Sequence, residues 1–237
     1  MIIGILQTDL VKPEFSQLFG EYPSMFQSLL QNIEPRMQFS VYDVRHNVYP
    51  DDIHECDAYL ITGSRTSVYQ PDPWIGVLQE FIITLDQQQK KLVAVCFGHQ
   101  LVAQTFGGKT EKSNKGWGVG VHTCQVSKHK CWMKPPMHRY RLIVSHQDQV
   151  TKLPDDAELL AGSEFCPISL FQRGDNILAI QGHPEFNKAY AQALMQHRQQ
   201  LLGEPLFNQG IRSLQSPTDT TDIAKWMSAF MVSAYQA

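Results

Sequence analysis

Four short runs punctuate the first hundred residues: IIGIL (2–6), QFSVYDV (38–44), AYLIT (58–62) and LVAVC (92–96). Most are aliphatic almost without a break, and a strand apolar at nearly every position has to be covered on both faces. Between the last two runs, Trp74, Val77, Leu78, Phe81, Ile82 and Leu85 recur at steps of three and four, which predicts one apolar face of a helix. Buried strands alternating with amphipathic helices lead to an α/β fold around a mostly parallel sheet.

Beyond Cys96, the residues Leu101, Val102 and Phe106 continue a helix that Gly107 and Gly108 can end. VGVHTCQV, RYRLIVS, AELLAG and PISLFQ then alternate only in part and are split by turn residues, as expected of antiparallel strands added at the edge of the sheet. NILAIQG returns to the buried type, and Tyr190, Ala193, Leu194, His197 and Leu201 mark a helix behind it. A final stripe of Ile223, Trp226, Met227, Phe230, Met231 and Ala234 follows the Ser216–Pro217 break and is expected to pack on the core. Residues 203–217 read as a loop or appendage. The expected organisation is one domain over residues 1–202, with an extension over 203–237 that carries a packed helix.

Charge and cysteine usage narrow the class. The 237 residues carry 20 Lys and Arg against 23 Asp and Glu, a formal net charge of -3. No basic run is present to neutralise a phosphate backbone or an anionic membrane, so neither nucleic acid nor membrane is an expected partner. No stretch approaches the ~20 apolar residues of a membrane span. The amino terminus is apolar for only about six residues and lacks a basic leader, so no signal peptide is expected. Five scattered cysteines in a chain of this size point to a reducing compartment, and the cytoplasm is the expected location.

The chemistry concentrates in VAVCFGHQ (93–100), where a buried run stops at Cys96 and a helix begins. Open α/β sheets place their chemistry at such strand ends, and the unpaired N–H groups and positive dipole of the helix favour a thiolate there. The frame Ala94-Val95-Cys96-Phe97-Gly98 matches a strained strand-turn-helix elbow, with small residues two before and two after the nucleophile. On this segment alone, Cys96 is equally a small core residue at a strand end.

A nucleophilic cysteine needs a base, and a base is best held by a third group. AIQGHPEFN (179–187) offers both. Pro184 keeps His183 out of helical angles, so His183 and Glu185, two apart in extended backbone, project to one side and the carboxylate can orient the imidazole. The plainer alternative has His183 ending a strand and Glu185 opening a helix.

VAVCFGHQLVAQTFGG followed by ILAIQGHPEF resembles the class I glutamine amidotransferase family, whose pattern is a Gly-x-Cys-x-Gly-x-Gln elbow and a distal His-Pro-Glu. VSHQDQVTKLPDDAELLAGSE is similar to the segment between those motifs, so the resemblance spans most of residues 1–202. It implies a flavodoxin-like open sheet, a triad of Cys96, His183 and Glu185, and a part for Gln100 in holding glutamine. It also implies an oxyanion hole from the N–H of Phe97 and an N–H of the loop ITGSRTSVY, where Gly63 and Ser64 stand at the family's paired glycines. Ser64 and Arg65 replace its Gly-Pro, and Ala94 replaces a glycine.

Other residues carry weaker signals. His146 either lines the substrate pocket, as the resemblance implies, or pairs with Asp148. The His122, Cys124, His129 and Cys131 pairs are spaced too closely for the usual structural zinc site, so no metal is expected. Trp117, flanked by glycines, marks either a close approach of substrate or a tight edge strand.

The leading expectation is a cofactor-free hydrolase that releases ammonia from the glutamine side chain through a γ-glutamyl thioester. No glycine-rich phosphate loop follows a strand, so the ammonia acceptor would be a separate synthetase, as for chains similar to the amidotransferase part of GMP synthase. The alternatives are a self-sufficient γ-glutamyl peptidase or amidase, and a non-catalytic binding or regulatory member of the fold.

Overall fold

The computed structural model describes residues 1–233, so Ala234 of the last stripe lies outside the described residues. The strands are β1 (Ile2–Gln7), β2 (Gln38–Asp43), β3 (Ala58–Ile61), β4 (Lys91–Val95), β5 (Lys109–Lys112), β6 (Gly118–Val126), β7 (Arg139–His146), β8 (Asp148–Lys152), β9 (Ala157–Gly162), β10 (Leu170–Arg173) and β11 (Ile177–Ile180). The helices are α1 (Pro13–Phe19), α2 (Tyr22–Gln31), α3 (Pro73–Gln87), α4 (Phe97–Thr105), α5 (Lys188–His197), α6 (Gln199–Leu202), α7 (Glu204–Ser213) and α8 (Thr220–Val232).

One sheet runs in the order β2-β1-β3-β4-β11-β10-β9-β6-β7. From β2 to β11 the neighbours are parallel, and β10, β9, β6 and β7 extend that block with antiparallel pairs. The α/β class and the added antiparallel strands therefore stand as expected. The ribbon of β5 and β8 was not expected, because KTEK and DQVTK carry almost no apolar residues to betray a strand.

Alternation along the strands explains their aliphatic runs. Val93 and Val95, Ala58 and Leu60, and Leu178 and Ile180 meet Phe26 and Leu30 of α2 and Ile223, Trp226 and Phe230 of α8. Their neighbours Leu92 and Ala94, Tyr59 and Ile61, and Ile177 and Ala179 meet α3 and α4. Successive side chains point to opposite faces, so a strand covered on both sides must be apolar at every position. α8 is core, as its stripe suggested.

Two readings need correction. On α3 the buried residues are Ile75, Leu78, Ile82 and Leu85, with Trp74 and Phe81 half-buried and Val77 exposed, so the apolar face is rotated from the expected one. Leu201 is 64% exposed, because α5 stops at His197 and the short α6 turns Leu201 to the surface.

A third correction concerns residues 203–217, most of which form α7 rather than a loop. Gly203 (φ 73°) breaks the chain after α6 and Pro205 starts the new helix, whose half-buried Leu206, Phe207 and Ile211 join Val119, Tyr190 and Leu194. The contact with β6 is nearly backbone to backbone. A Cβ at Gly120 would stand 2.1 Å from Ser213 Oγ and 2.8 Å from the Gly210 carbonyl oxygen, and one at Gly210 would stand 3.0 Å from Val119 Cγ2.

Gly120 also holds a φ of 81°, as does Gly116 at 77°, but a Cβ at Gly116 meets nothing within 4 Å. Gly120→Ala is accordingly expected to cost about 2–4 kcal/mol from overpacking plus backbone strain, and Gly116→Ala only about 1 kcal/mol from strain alone. Denaturant unfolding of the two variants beside the wild type checks the difference.

Candidate active site

Parallel pairing of β4 with β11 sets the geometry. Val95 lies opposite Ile180, and the Cys96 N–H donates to the Ile180 carbonyl at 2.8 Å, so both strands leave the sheet at the same edge. Cys96 then caps α4 with φ 52° and ψ -98°, a conformation rare for a residue with a side chain. Such strain costs about 1–3 kcal/mol and persists only where the surroundings enforce it. The enforcement is close packing: a Cβ at Gly98 would lie 2.9 Å from Ile61 Cβ and 3.3 Å from Ala94 Cβ, so the turn closes only over a glycine and a small strand residue.

On the neighbouring strand end, the His183 N–H donates to the Ile143 carbonyl at 2.8 Å, a bridge that ties the segment to β7. His183 Nδ1 and Glu185 Oε1 are 2.7 Å apart, and both residues are buried. Phe186 stacks on the imidazole at 3.9 Å with an interplanar angle of 8°. Burial opposes a charge on His183, but the Glu185 carboxylate and the Cys96 sulfur outweigh it and raise the imidazole to a pKa of about 10.

Gly63 brings the loop after β3 against both groups, since a Cβ there would stand 3.0 Å from His183 Cε1 and 3.5 Å from Cys96 Cβ. The loop is clasped to the end of β1. Arg65 donates from its backbone N (2.9 Å), Nε (2.8 Å) and Nη2 (2.8 Å) to the buried Asp9 carboxylate, and Thr8 Oγ1 donates to the Gly63 carbonyl at 2.9 Å. Burial raises the Asp9 carboxyl, and the Arg65 hydrogen bonds overcome it to hold the group below its usual range.

Gly63, Ser64, Cys96, Gln100, His146 and His183 line one cavity of about 170 Å³. Glu185 sits behind His183 and does not line it. The Phe97 ring packs against Trp74, with centroids 5.4 Å apart, which leaves its backbone N–H, at the first position of α4, as its link to the site. Gln100 Nε2 donates to the Asp148 carbonyl (2.9 Å) and to Gln181 Oε1 (3.0 Å), which fixes the side chain in the cavity wall.

His146 does not pair with Asp148. That carboxylate accepts from the Ser67 and Tyr69 hydroxyls, and among the described residues neither ring nitrogen of His146 has a hydrogen-bond partner. Burial, with the nearby His122, His183 and His99, keeps His146 neutral. The two His-x-Cys pairs separate: His122 lies edge-on to Phe165, Cys124 donates to Ser169 Oγ, His129 reaches the Met137 carbonyl and Cys131 is exposed.

A model of the glutamine amidotransferase class-I family matches residues 21–198. The chain belongs to the class I glutamine amidotransferase family. In this family its relatives include γ-glutamyl peptidase 3 of Arabidopsis thaliana, 31% identical over 196 residues that cover 79% of the chain and 76% of the relative. A subunit of the glutamine-hydrolyzing GMP synthase of Methanococcoides burtonii is 35% identical over 112 residues, 47% of the chain and 57% of the relative. The solved structure of a glutamine amidotransferase from Methylobacillus flagellatus superimposes with a TM-score of 0.75 at 17% identity, covering 99% of the chain and 95% of that structure.

The places of Arg65, Tyr22 and Arg198 in the cavity wall of this amidotransferase-family chain were not read from the sequence. Arg65 draws its role from Asp9, 56 residues away, a separation no local pattern reveals. Tyr22, on α2, lines the cavity and meets the Tyr190 hydroxyl at 3.2 Å. Arg198 also lines the cavity, although a basic residue at a helix end reads as a partner of the helix dipole. Trp117, read two ways, is in the wall as well.

Two measurements bear on this geometry. Cys96→Gly, which accepts the positive φ, is expected to be about 1 kcal/mol more stable than Cys96→Ala by denaturant unfolding. The raised pKa of His183 adds stability that is complete below the unfolded value of about 6.5 and is lost as pH climbs to about 10. Glu185→Gln removes the first of the groups that raise it, so the variant is expected to lose most stability near pH 6 and to converge on the wild type at alkaline pH. A gap independent of pH would contradict that origin.

Proposed function

We propose that the protein hydrolyses the amide of a γ-glutamyl group, with Cys96 as nucleophile, His183 as proton carrier and Glu185 orienting the imidazole. The observation that carries this reading is the strained Cys96 in one cavity with the imidazole of a buried His183–Glu185 pair. The raised pKa of His183 keeps its imidazole protonated, ready to give a proton to a departing nitrogen, and a cysteine acts as nucleophile in its thiolate form.

The thiolate attacks the side-chain carbonyl carbon, and the electron pair of the C=O bond moves to oxygen. The N–H groups of Phe97 and of Ser64 or Gly63 receive that oxyanion; one such donor is worth about 2.7–4 kcal/mol. Collapse breaks the C–N bond while His183 passes its proton to the departing nitrogen, leaving a γ-glutamyl thioester. Water then attacks the thioester, gives a proton to His183 and releases glutamate and the thiolate. Gln100 and the neutral His146 hold the glutamyl part by hydrogen bonds. These steps need no cofactor.

Two versions differ in what leaves. The γ-glutamyl peptidase relative covers most of the chain and supports a self-sufficient peptidase acting on γ-glutamyl peptides. The GMP synthase relative supports glutamine as substrate and a separate synthetase as ammonia acceptor. Among the described residues no helix is long and apolar enough to cross a membrane. We place the enzyme in the cytoplasm, where Cys56, Cys96, Cys124, Cys131 and Cys166, all free thiols, stay reduced.

The test is ammonia and glutamate release by the purified chain with glutamine and γ-glutamyl dipeptides side by side. Turnover of at least one is expected, and Cys96→Ala is expected to lower it by more than about 10³-fold. Dipeptide cleavage without help selects the peptidase version. Glutamine turnover that rises only with an added synthetase selects the other. Activity that survives Cys96→Ala sinks the proposed nucleophile, and a folded chain silent on every substrate, with or without synthetase, would identify a non-catalytic member.

A further inference from the structure

Arg198 follows the last turn of α5 and lines the cavity that holds Cys96 and His183. Its Nη1 donates to Ser145 Oγ at 2.8 Å, and its guanidinium carbon lies 5.2 Å from the centre of the Trp117 ring. Among the described residues no carboxylate pairs with it. The other arginines differ: Arg36, Arg45, Arg65, Arg141 and Arg173 each pair with an acidic side chain, while Arg139 and Arg212 are exposed and leave their charge to water.

Arg198 is half-buried, so its charge is only partly solvated and is not neutralised by a carboxylate, and among the described residues most of its five N–H donors have no protein acceptor. A guanidinium presents those donors as a planar fork that matches a carboxylate. Arg65, the other arginine of the cavity wall, already has its charge paired with the Asp9 carboxylate. A surface groove that shares Arg65 and Arg198 with the cavity is also lined by Lys12 and by His197, the latter 3.7 Å from Glu14.

We propose that Arg198 is the specificity-determining anchor for a free carboxylate on the substrate. This rests on the γ-glutamyl amide reading above. A γ-glutamyl peptide carries two such groups, the α-carboxylate of the glutamyl unit and the terminal carboxylate of the leaving peptide, and both offer the same chemistry to the fork.

The experiment compares wild type, Arg198→Gln and Arg198→Lys on glutamine, glutamine α-amide, γ-glutamylglycine and γ-glutamylglycinamide. On substrates that keep the anchored carboxylate, Arg198→Gln is expected to raise KM about 10- to 100-fold with kcat changed far less, and Arg198→Lys to restore part of the loss. A penalty that disappears on glutamine α-amide assigns the α-carboxylate. One that disappears on γ-glutamylglycinamide assigns the leaving group. An equal penalty on all four substrates, or none, overturns the proposal.

Calorimetric binding of L-glutamate and γ-glutamylglycine to Cys96→Ser, with and without Arg198→Gln, does not require turnover. If the chain hydrolyses nothing, weaker binding caused by Arg198→Gln upholds the anchor while the catalytic reading fails, and unchanged binding overturns the anchor. Should Arg198→Gln not fold, Arg198→Lys and Ser145→Ala carry the same comparison, and affinities equal to the parent overturn the proposal.

Discussion

The in-register parallel pairing of β4 with β11 is the constraint on which the site depends. These strands are far apart in sequence, and only their pairing brings the residue after Val95 alongside the segment after Ile180. A slip of one residue would exchange the two faces of the strand, sending Val93 and Val95 toward α3 and α4 and Leu92 and Ala94 toward α2 and α8. Burial on both faces thus protects the register, and the register places Cys96 against His183. Chemistry at the strand ends is a consequence of core packing beneath them.

Around that axis the structure holds several unfavourable local states. Cys96 has a backbone conformation that a side chain disfavours, His183 is buried with a raised pKa, and Asp9 is a buried carboxylate. Each is held by a specific neighbour: Gly98 packs under the elbow, Glu185 faces the imidazole, and Arg65 forks onto Asp9. Arg198 differs, a half-buried cation in the cavity wall that has no acidic partner among the described residues. In a site proposed to take γ-glutamyl compounds, that open valence marks where a ligand completes what the fold leaves unpaired.

The C-terminal part of the chain shows how polar sequence is recruited into a packed molecule. α7 has few apolar residues, and its contact with β6 works through Gly120 and Gly210, where the absence of side chains lets backbone approach backbone. α8 is the opposite case, a helix whose Trp226, Phe230 and Met231 bury almost completely against the sheet. Both helices carry an apolar period, Leu206, Phe207 and Ile211 in α7 and the longer stripe of α8, but the close approach through Gly120 and Gly210 leaves no such trace in sequence.

Legible in the residues alone were the α/β class, the doubly covered strands, the core helix near the end, and the choice of a cysteine elbow with His183 and Glu185 as candidate chemistry. These are local matters: alternation, helical period, a turn that needs small residues, and a proline that keeps two side chains on one side. Folding in three dimensions was needed to set the helix at residues 204–213, the turned face of α3, the clasp of Arg65 on Asp9, the isolation of His146 from Asp148, and the place of Tyr22 and Arg198 in the cavity. Most of those depend on partners tens to more than a hundred residues away, and a side chain's charge balance is set by what the fold puts beside it rather than by its neighbours along the chain.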